Sequence, residues 1–121
     1  MAKAIREYSL PELMERIEEI FNANPEPIKG FNGVVQYDVH GEETGTYQHF
    51  FKDGTLTIKE GVETTPDVSM ALSYDNFKKF LLGKQSGAVA LLTGKVKAKG
   101  DIAKGMKIET ILRRYHIKEP F

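Results

Sequence analysis

The sequence of 121 residues contains no cysteine. A disulfide framework, a thiolate metal site and a cysteine nucleophile are therefore all excluded, and the absence fits a reducing compartment. Long apolar runs are also missing, since the longest, residues 88–92, has five residues, whereas a transmembrane helix needs roughly 20. Neither a signal peptide at the start nor a peroxisomal tripeptide at the end is recognisable, so we expect a cytoplasmic protein.

Net charge is absent as well, because 17 lysine and arginine residues balance 17 aspartate and glutamate residues. A dedicated nucleic-acid-binding protein needs a basic surface, so nucleic acid is not an expected partner. The charges are unevenly distributed: residues 1–77 contain 14 acidic and 6 basic residues, and residues 78–121 contain 3 acidic and 11 basic residues. The two parts are expected to attract each other on folding, and a basic face for an anionic partner is the alternative.

Catalytic and cofactor-binding motifs are the third absence. The sequence has no Gly-x-Ser-x-Gly, no Gly-x-Gly-x-x-Gly and no zinc-protease helix. The histidines, His40, His49 and His116, do not have metal-ligand spacing. A phosphate loop is excluded at Gly87 and Gly94, because six residues separate these glycines instead of four. We therefore expect no metal, no cofactor and no enzymatic activity.

The first element that is present is an amphipathic helix. Six apolar residues recur at the spacing of one helix face. They are Leu10, Leu13, Met14, Ile17, Ile20 and Phe21. Ser9 and Glu12 form a Ser-x-x-Glu capping box at the start of this helix. Pro25 and Pro27 cannot continue it, so its end is expected near residues 22–24.

Alternating apolar and polar residues then predict four short strands. They cover residues 35–39, 46–52, 55–59 and 68–72. Asp53-Gly54 is the dipeptide preferred by a two-residue hairpin turn, in which both positions need a positive φ. Because the links are short, we expect an antiparallel meander with one face in water.

The second part of the chain returns to a helical period. Ser73 can cap a helix that ends at Gly83, and a short apolar segment follows at residues 87–93. Residues 95–99 alternate lysine with apolar residues, as a strand with one charged face does, and a last helix starts at Gly100-Asp101. This order predicts a single α+β domain, residues 1–121, in which helices cover one face of a mainly antiparallel sheet.

Asp38 is the one candidate for acid–base chemistry. A strand aspartate that faces an apolar cavity could act as a general base, since burial would raise its pKa. Alternation instead places Asp38 with Gln36 on the side opposite Tyr37 and Val39, and so outward. A small cavity enzyme of the ketosteroid-isomerase type that uses Asp38 is kept as an alternative, although the helices that follow the strands count against it.

Ordered patterns run through most of the chain. The strand Asp67-Val68-Ser69-Met70 leads to a helix that ends in Gly83-Lys84. An apolar segment leads to Gly94-Lys95-Val96-Lys97-Ala98-Lys99-Gly100-Asp101, and Met106-Lys107-Ile108 lies in the next helix. The first half adds the amphipathic helix and the hairpin Phe51-Lys52-Asp53-Gly54. In this order the patterns resemble the sterol carrier protein 2-like (SCP-type sterol-binding) domain family.

The resemblance implies a five-stranded sheet covered by helices, with an apolar tunnel between them for a sterol, fatty acid, acyl-CoA or phospholipid. Inward periodicity together with the resemblance gives a set of candidate lipid-binding residues. They are Met70, Leu72, Phe77, Phe80, Leu81, Val89, Leu92, Met106 and Ile111. Lys95, Lys97 and Lys104 are candidates for contact with a headgroup or an anionic membrane, whereas protection of a strand edge is the alternative for the strand lysines.

The predicted function is therefore that of an intracellular lipid carrier without catalytic activity. The alternative within the same resemblance is an interaction module that presents a lipid substrate to a partner enzyme.

Overall fold

The computed structural model describes residues 4–119, and the terminal residues 1–3 and 120–121, which contribute to the expectations about targeting and domain bounds, lie outside the described residues. Its elements follow the predicted order of helix, four strands, two helices, strand and helix. They are α1 (Leu10–Ala23), β1 (Gly33–His40), β2 (Gly45–Lys52), β3 (Thr55–Glu60), β4 (Val68–Ser73), α2 (Tyr74–Leu81), α3 (Gly87–Leu92), β5 (Val96–Gly100) and α4 (Ile102–Tyr115).

The start of α1 confirms the predicted capping box. The Glu12 amide donates to Ser9 Oγ at 3.3 Å, and the Ser9 amide donates to Glu12 Oε1 at 2.9 Å. Both bonds satisfy amide groups that the first turn of a helix leaves without an intrahelical partner. The helix therefore begins where the sequence indicates, and its predicted apolar face packs into the core.

The five strands form one mixed sheet in the order β3-β2-β1-β4-β5. The pairs β1–β2, β2–β3 and β4–β5 are antiparallel, and β1–β4 is parallel. The expectation of a continuous meander was therefore wrong at one link, because β4 does not lie beside β3. Alternation predicts that a segment is a strand but does not specify its neighbour.

The connection from β3 to β4 crosses the side of the sheet that carries no helices. The connection covers Gln48, which is fully buried although it lies on that polar side. The Gln48 side chain accepts from the Glu63 amide at 2.9 Å and donates to the Thr64 carbonyl at 2.8 Å. These bonds hold residues 61–67 against the strands and satisfy the buried amide group.

The helices cover the other face, as predicted. His49 on β2 meets Met14 of α1, with 3.2 Å between Nε2 and Sδ, and the ring of Tyr37 on β1 packs edge-to-face on Phe77 of α2 at 5.2 Å between centroids. Tyr37, His49 and Phe77 all belong to the buried interior. The core therefore lies between this face of the sheet and helices α1, α2 and α4.

Helix α4 is firmly held at its C-terminal end. Tyr115 stacks on Phe21 of α1 with 4.3 Å between ring centroids and 5° between planes. Its hydroxyl donates to the Asn24 carbonyl at 2.7 Å, and burial raises the pKa of Tyr115 to about 12. The N-terminal end of α4 follows directly after β5, and α4 contacts the short helix α3.

Candidate functional site

An apolar cavity lies on the helix-covered face, between β4 and β5 on one side and α2, α3 and α4 on the other. Its volume is about 30 Å³, which is room for roughly two water molecules. The lining is formed by Tyr37, Val68, Met70, Leu72, Phe80, Gly87, Leu91, Val96, Ala98, Ile102, Gly105, Met106 and Glu109. In this conformation the helices are nearly closed on the sheet.

A second and smaller cavity of about 10 Å³ continues along the same face. It lies toward α1, with Phe21, His49 and Leu112 in its lining. Tyr37 lines both cavities and is therefore the side chain that separates them.

Glu109 is the one charged side chain in the lining of the larger cavity as the structure describes it. It projects from α4 and is 16% exposed. Its Oε1 accepts from the Gly87 amide at 3.1 Å, and its Oε2 contacts Arg113 Nη2 at 2.7 Å. The carboxylate therefore connects α4 to the start of α3 at the edge of the cavity, and its charge is neutralised by the arginine.

Gly87 permits this close approach. A Cβ atom at position 87 would lie 2.6 Å from Glu109 Oε1, too close for van der Waals contact, so any larger residue would displace the carboxylate. Gly105 plays a similar part on α4, where a Cβ atom would lie 3.4 Å from Val68 Cγ2 and 3.6 Å from Met70 Sδ. Both glycines keep space open at the cavity lining.

The titratable side chains of Tyr37 and His49, which line the cavities, are neutral. Burial lowers the pKa of His49 to about 3, because desolvation disfavours the imidazolium. Burial also raises the pKa of Tyr37 above its ordinary value. At neutral pH both side chains are uncharged, and neither has a pKa matched to general acid or base work. The cavity is thus suited to an apolar occupant.

Four of the predicted lining residues contact the larger cavity, namely Met70, Leu72, Phe80 and Met106. Phe77 and Leu81 line the smaller one, and Ile111 is buried in the core without lining either. The structure does not bring Val89 and Leu92 to the cavity. Both lie on the exposed side of α3, because the inner side of this helix is formed by Gly87, Ala90 and Leu91.

The three predicted headgroup lysines do not converge at the cavity. Lys97 alternates with Val96 and Ala98, which line the cavity, so it lies on the opposite face of the sheet. Lys95 is exposed between α3 and β5. Lys104 Nζ donates to the Asn32 carbonyl at 2.9 Å and lies 3.7 Å from Asp67 Oδ2, so it ties α4 to the start of β1.

Asp38 is directed away from the cavity, on the side of the sheet without helices. It accepts a hydrogen bond from Gln36 Nε2 at 3.1 Å and another from Thr46 Oγ1 at 3.0 Å. Its neighbour Tyr37 faces the cavities instead. The position of Asp38 therefore speaks against the ketosteroid-isomerase alternative.

Sequence reasoning missed Tyr37, Gly105 and Glu109. Tyr37 shares the alternation of Val35 and Val39, and the parallel β1–β4 pairing places it directly beside Met70, but that pairing was not predicted. A glycine inside the last helix was an available signal for Gly105. Nothing in the local pattern identified Glu109, since its partner Gly87 is 22 residues away.

Residues 4–119 contain no group of three or more histidine, aspartate or glutamate side chains placed to hold a metal ion. None of the helices in this part of the chain combines the length and the hydropathy needed to cross a bilayer.

Comparison with known proteins identifies relatives that match nearly the whole chain. The hydroxysteroid dehydrogenase-like protein 2 of Xenopus tropicalis is 32% identical over 118 residues, which cover 97% of this chain and 28% of that protein. The counterpart from Xenopus laevis is 32% identical over 110 residues, or 26% of its length. The chain therefore spans little more than a quarter of the length of these curated relatives.

Solved structures share the fold. Sterol carrier protein 2 from Yarrowia lipolytica, in its apo form, has a TM-score of 0.72 and 23% identity, with coverage of 88% of this chain and 91% of that one. Palmitated SCP2L2 from Aedes aegypti has a TM-score of 0.72 and 20% identity, with coverage of 92% and 100%. The sequence itself matches the SCP-2 sterol transfer family over residues 14–113. Since this segment begins in α1, ends in α4 and contains every strand of the sheet, the chain belongs to the SCP-2 sterol transfer family.

Proposed function

We propose that the chain is a non-catalytic lipid carrier that holds a fatty acyl chain, or a sterol or phospholipid of similar apolar bulk, between its sheet and helices α2, α3 and α4. The observation that carries this proposal is the apolar cavity bounded by Met70, Leu72, Phe80 and Met106. Membership of the SCP-2 sterol transfer family supports it. So does the palmitated form of the Aedes aegypti neighbour, whose fold is the same.

Apolar burial alone supplies enough free energy. Burying a methylene group contributes about 0.8 kcal/mol, so a sixteen-carbon chain offers about 13 kcal/mol before the costs of association and ordering, which are at least about 4 kcal/mol. The roughly 8 kcal/mol that micromolar affinity requires can therefore come from apolar burial without any strong polar contact. The same arithmetic predicts weak selectivity between chain lengths, because one methylene group changes binding by only about 0.8 kcal/mol, or about fourfold.

A cavity of about 30 Å³ cannot hold an acyl chain, so binding requires the helices to move outward. Helix α3 is the element best suited to move. It has six residues, and only Ala90 among them is fully buried, whereas an isolated helix needs about 12–15 residues to be even marginally stable. Gly83 and Gly94, both with positive φ, lie in the connections on either side of it. Few buried contacts make such a segment the first to open.

Helix α4 provides the fixed side of the same opening. Its C-terminal end is held against α1 by the stacked rings of Tyr115 and Phe21. The Glu109 carboxylate then forms the polar connection from α4 to the start of α3. Outward movement of α3 has to break this one hydrogen bond and the apolar contacts of Ala90 and Leu91.

A second candidate function, presentation of a bound lipid to an enzyme, is favoured by one observation. The curated relatives named hydroxysteroid dehydrogenase-like protein 2 are longer, and the chain matches only 28% of the Xenopus tropicalis protein. A pull-down that recovers a stoichiometric enzyme, whose turnover of a lipid rises when this chain is added, would favour presentation. Unassisted transfer of lipid between vesicle populations would favour free transport.

The direct test is titration of the delipidated protein with a fluorescent fatty acid. We expect saturable binding at micromolar concentration and displacement by palmitate. Replacing Phe80 with aspartate should weaken binding strongly, because a charge would enter an apolar lining. Lys29→Asp is the control, since Lys29 is exposed and lines neither cavity. Absence of saturable binding by the parent protein would contradict the proposal.

A further inference from the structure

Exposed apolar side chains are concentrated at one place on the surface. The structure exposes five large hydrophobic residues among residues 4–119, and four of them belong to α3 and the first half of α4. Leu92 is 87% exposed, Val89 50%, Met106 47% and Ile102 37%. The fifth, Val62, lies in the connection between β3 and β4. Scattered single residues need no explanation, but a cluster of this kind marks an interaction site. We name the cluster of Val89, Leu92, Ile102 and Met106 the apolar rim.

The apolar rim lies next to the larger cavity, on the outer side of the helices that line it. Ile102 and Met106 line the cavity and are exposed at the same time. On the other side, Leu91 and Gly87 of α3 line the cavity, while Val89 and Leu92 continue the same short helix outward. A molecule that covers the rim therefore contacts Ile102 and Met106, two exposed side chains that also line the cavity.

Charge around the apolar rim is strongly positive. Residues 84–100 contain four lysines and no acidic residue. Lys84 and Lys95 flank α3, and Lys107 follows Met106, and all three are exposed. Within residues 4–119 none of these three lysines forms an ion pair. Two acidic residues lie in this neighbourhood: Asp101 caps α4, and Glu109 is 16% exposed and paired with Arg113.

We propose that the apolar rim docks onto the surface of an anionic phospholipid bilayer, with Leu92 inserted among the headgroups. Interfacial binding combines burial of an apolar face with attraction of basic side chains to anionic lipids, and the rim offers both. A second copy of this chain is disfavoured as the occupant, because two basic rims would repel each other. The outer face of α1 is disfavoured as the docking surface, since Glu15 and Glu19 are exposed on it.

This inference rests on the proposed function, because docking at this place would bring two side chains of the cavity lining, Ile102 and Met106, against the source of its lipid. The docking inference and the proposed function are tested by separate measurements, however. Leu92 does not line either cavity, so a change at Leu92 should affect contact with a bilayer and leave the affinity for a fatty acid in water unchanged.

The experiment is flotation of the full chain with vesicles of phosphatidylcholine alone and of an equal mixture of phosphatidylcholine and phosphatidylglycerol. We expect binding to the mixed vesicles, little binding to phosphatidylcholine alone, and release at high salt, where the attraction is screened. Leu92→Glu should weaken binding at least about tenfold, and Lys95→Glu by about fivefold or more, since one lysine near an anionic surface contributes about that factor. Val62→Glu is the matched control, since it places the same charge at another exposed apolar position.

The results of flotation and of fatty-acid binding distinguish the docking inference from the carrier proposal. Fatty-acid binding without flotation of the parent protein would overturn the docking inference and leave the carrier proposal intact. Equal flotation of Leu92→Glu and Val62→Glu would overturn the inference as well, and so would a dimer in sedimentation that Leu92→Glu dissociates. If the parent binds neither vesicles nor fatty acid, both proposals fail.

Discussion

Glu109 on α4 accepts a hydrogen bond from the Gly87 amide at the start of α3, with 3.1 Å between Oε1 and N. The bond spans 22 residues of sequence and lies at the edge of the larger cavity. It is the polar connection between the helix that is anchored to the core and the short helix that covers the cavity. The rate at which the cavity opens should therefore depend on this contact.

Replacing Glu109 with alanine should accelerate ligand exchange. The Gly87 amide would lose its partner, which destabilises the closed arrangement by about 1 kcal/mol and raises the association and dissociation rates of a fluorescent fatty acid several-fold in stopped-flow mixing. Glu109→Gln keeps an acceptor oxygen and should behave nearly like the parent protein.

Arg113→Ala is the control for the ion pair that Glu109→Ala also removes. Arg113 is largely exposed, although Glu109 is only 16% exposed, and a surface ion pair with this helical spacing contributes about 0.3–0.5 kcal/mol. Exchange should therefore be little changed by Arg113→Ala. Unchanged or slower exchange in Glu109→Ala would show that the contact does not restrain α3.

His49 should make the fold sensitive to acid. Its pKa is about 3 in the folded protein and about 6.5 when unfolded, so the unfolded chain binds the extra proton first as the pH falls. Stability is then undiminished above about pH 6.5 and decreases below it by up to about 1.4 kcal/mol per pH unit until the folded pKa is reached. At pH 5 the loss amounts to about 2 kcal/mol.

The comparison for His49 is urea unfolding of the parent and of His49→Phe between pH 7 and pH 5. The aromatic ring preserves packing against Tyr37 and Met14, and the variant should lose most of the pH dependence. His40→Gln, at an exposed position, should retain it. If the free energy of unfolding of His49→Phe declined as steeply between pH 7 and pH 5, the acid sensitivity would come from other groups.

Gly105→Ala should separate stability from ligand binding. Alanine is favoured over glycine inside a helix by about 1 kcal/mol, and the added methyl group would meet Val68 and Met70 at 3.4 and 3.6 Å, close to ordinary contact distances. The melting temperature should rise by about 4 °C, while the methyl group occupies cavity space and weakens fatty-acid binding. Thermal unfolding and titration of one sample check both effects, and tighter binding would contradict this role of Gly105.

The sequence was most informative where local chemistry decides the structure. Ser9 and Glu12 marked the start of α1, and both form the expected bonds. Asp53 and Gly54 marked a hairpin, and both adopt positive φ, at 50° and 77°. Such features depend on residues within a few positions of each other, so a single sequence contains them in full.

Features that depend on distant partners were not predictable in the same way. The alternation of residues 68–72 indicated β4 but not its parallel pairing with β1, since period-two patterning specifies faces and not neighbours. Helix α3 is apolar on nearly every side, so periodicity did not distinguish inward Leu91 from outward Leu92. The contact between Glu109 and Gly87 arises only once the helices have packed.

The proposed position of the lipid, between the sheet and helices α2 to α4, can be tested with a pair of matched substitutions in the sheet. Ala98 lies on β5 beside Met70 and lines the larger cavity, whereas Ala71 lies on β4 beside Lys97 and on the opposite face. Phenylalanine at either position adds the same apolar bulk to the sheet, but only at position 98 does it fill the cavity.

Fluorescent fatty-acid titration of Ala98→Phe and Ala71→Phe, with circular dichroism to confirm folding, is therefore the decisive measurement. We expect Ala98→Phe to stay folded and to lose at least about tenfold in affinity, or 1.4 kcal/mol, while Ala71→Phe binds like the parent protein. Equal affinity of the two folded variants, or a loss confined to Ala71→Phe, would contradict the proposed position of the lipid.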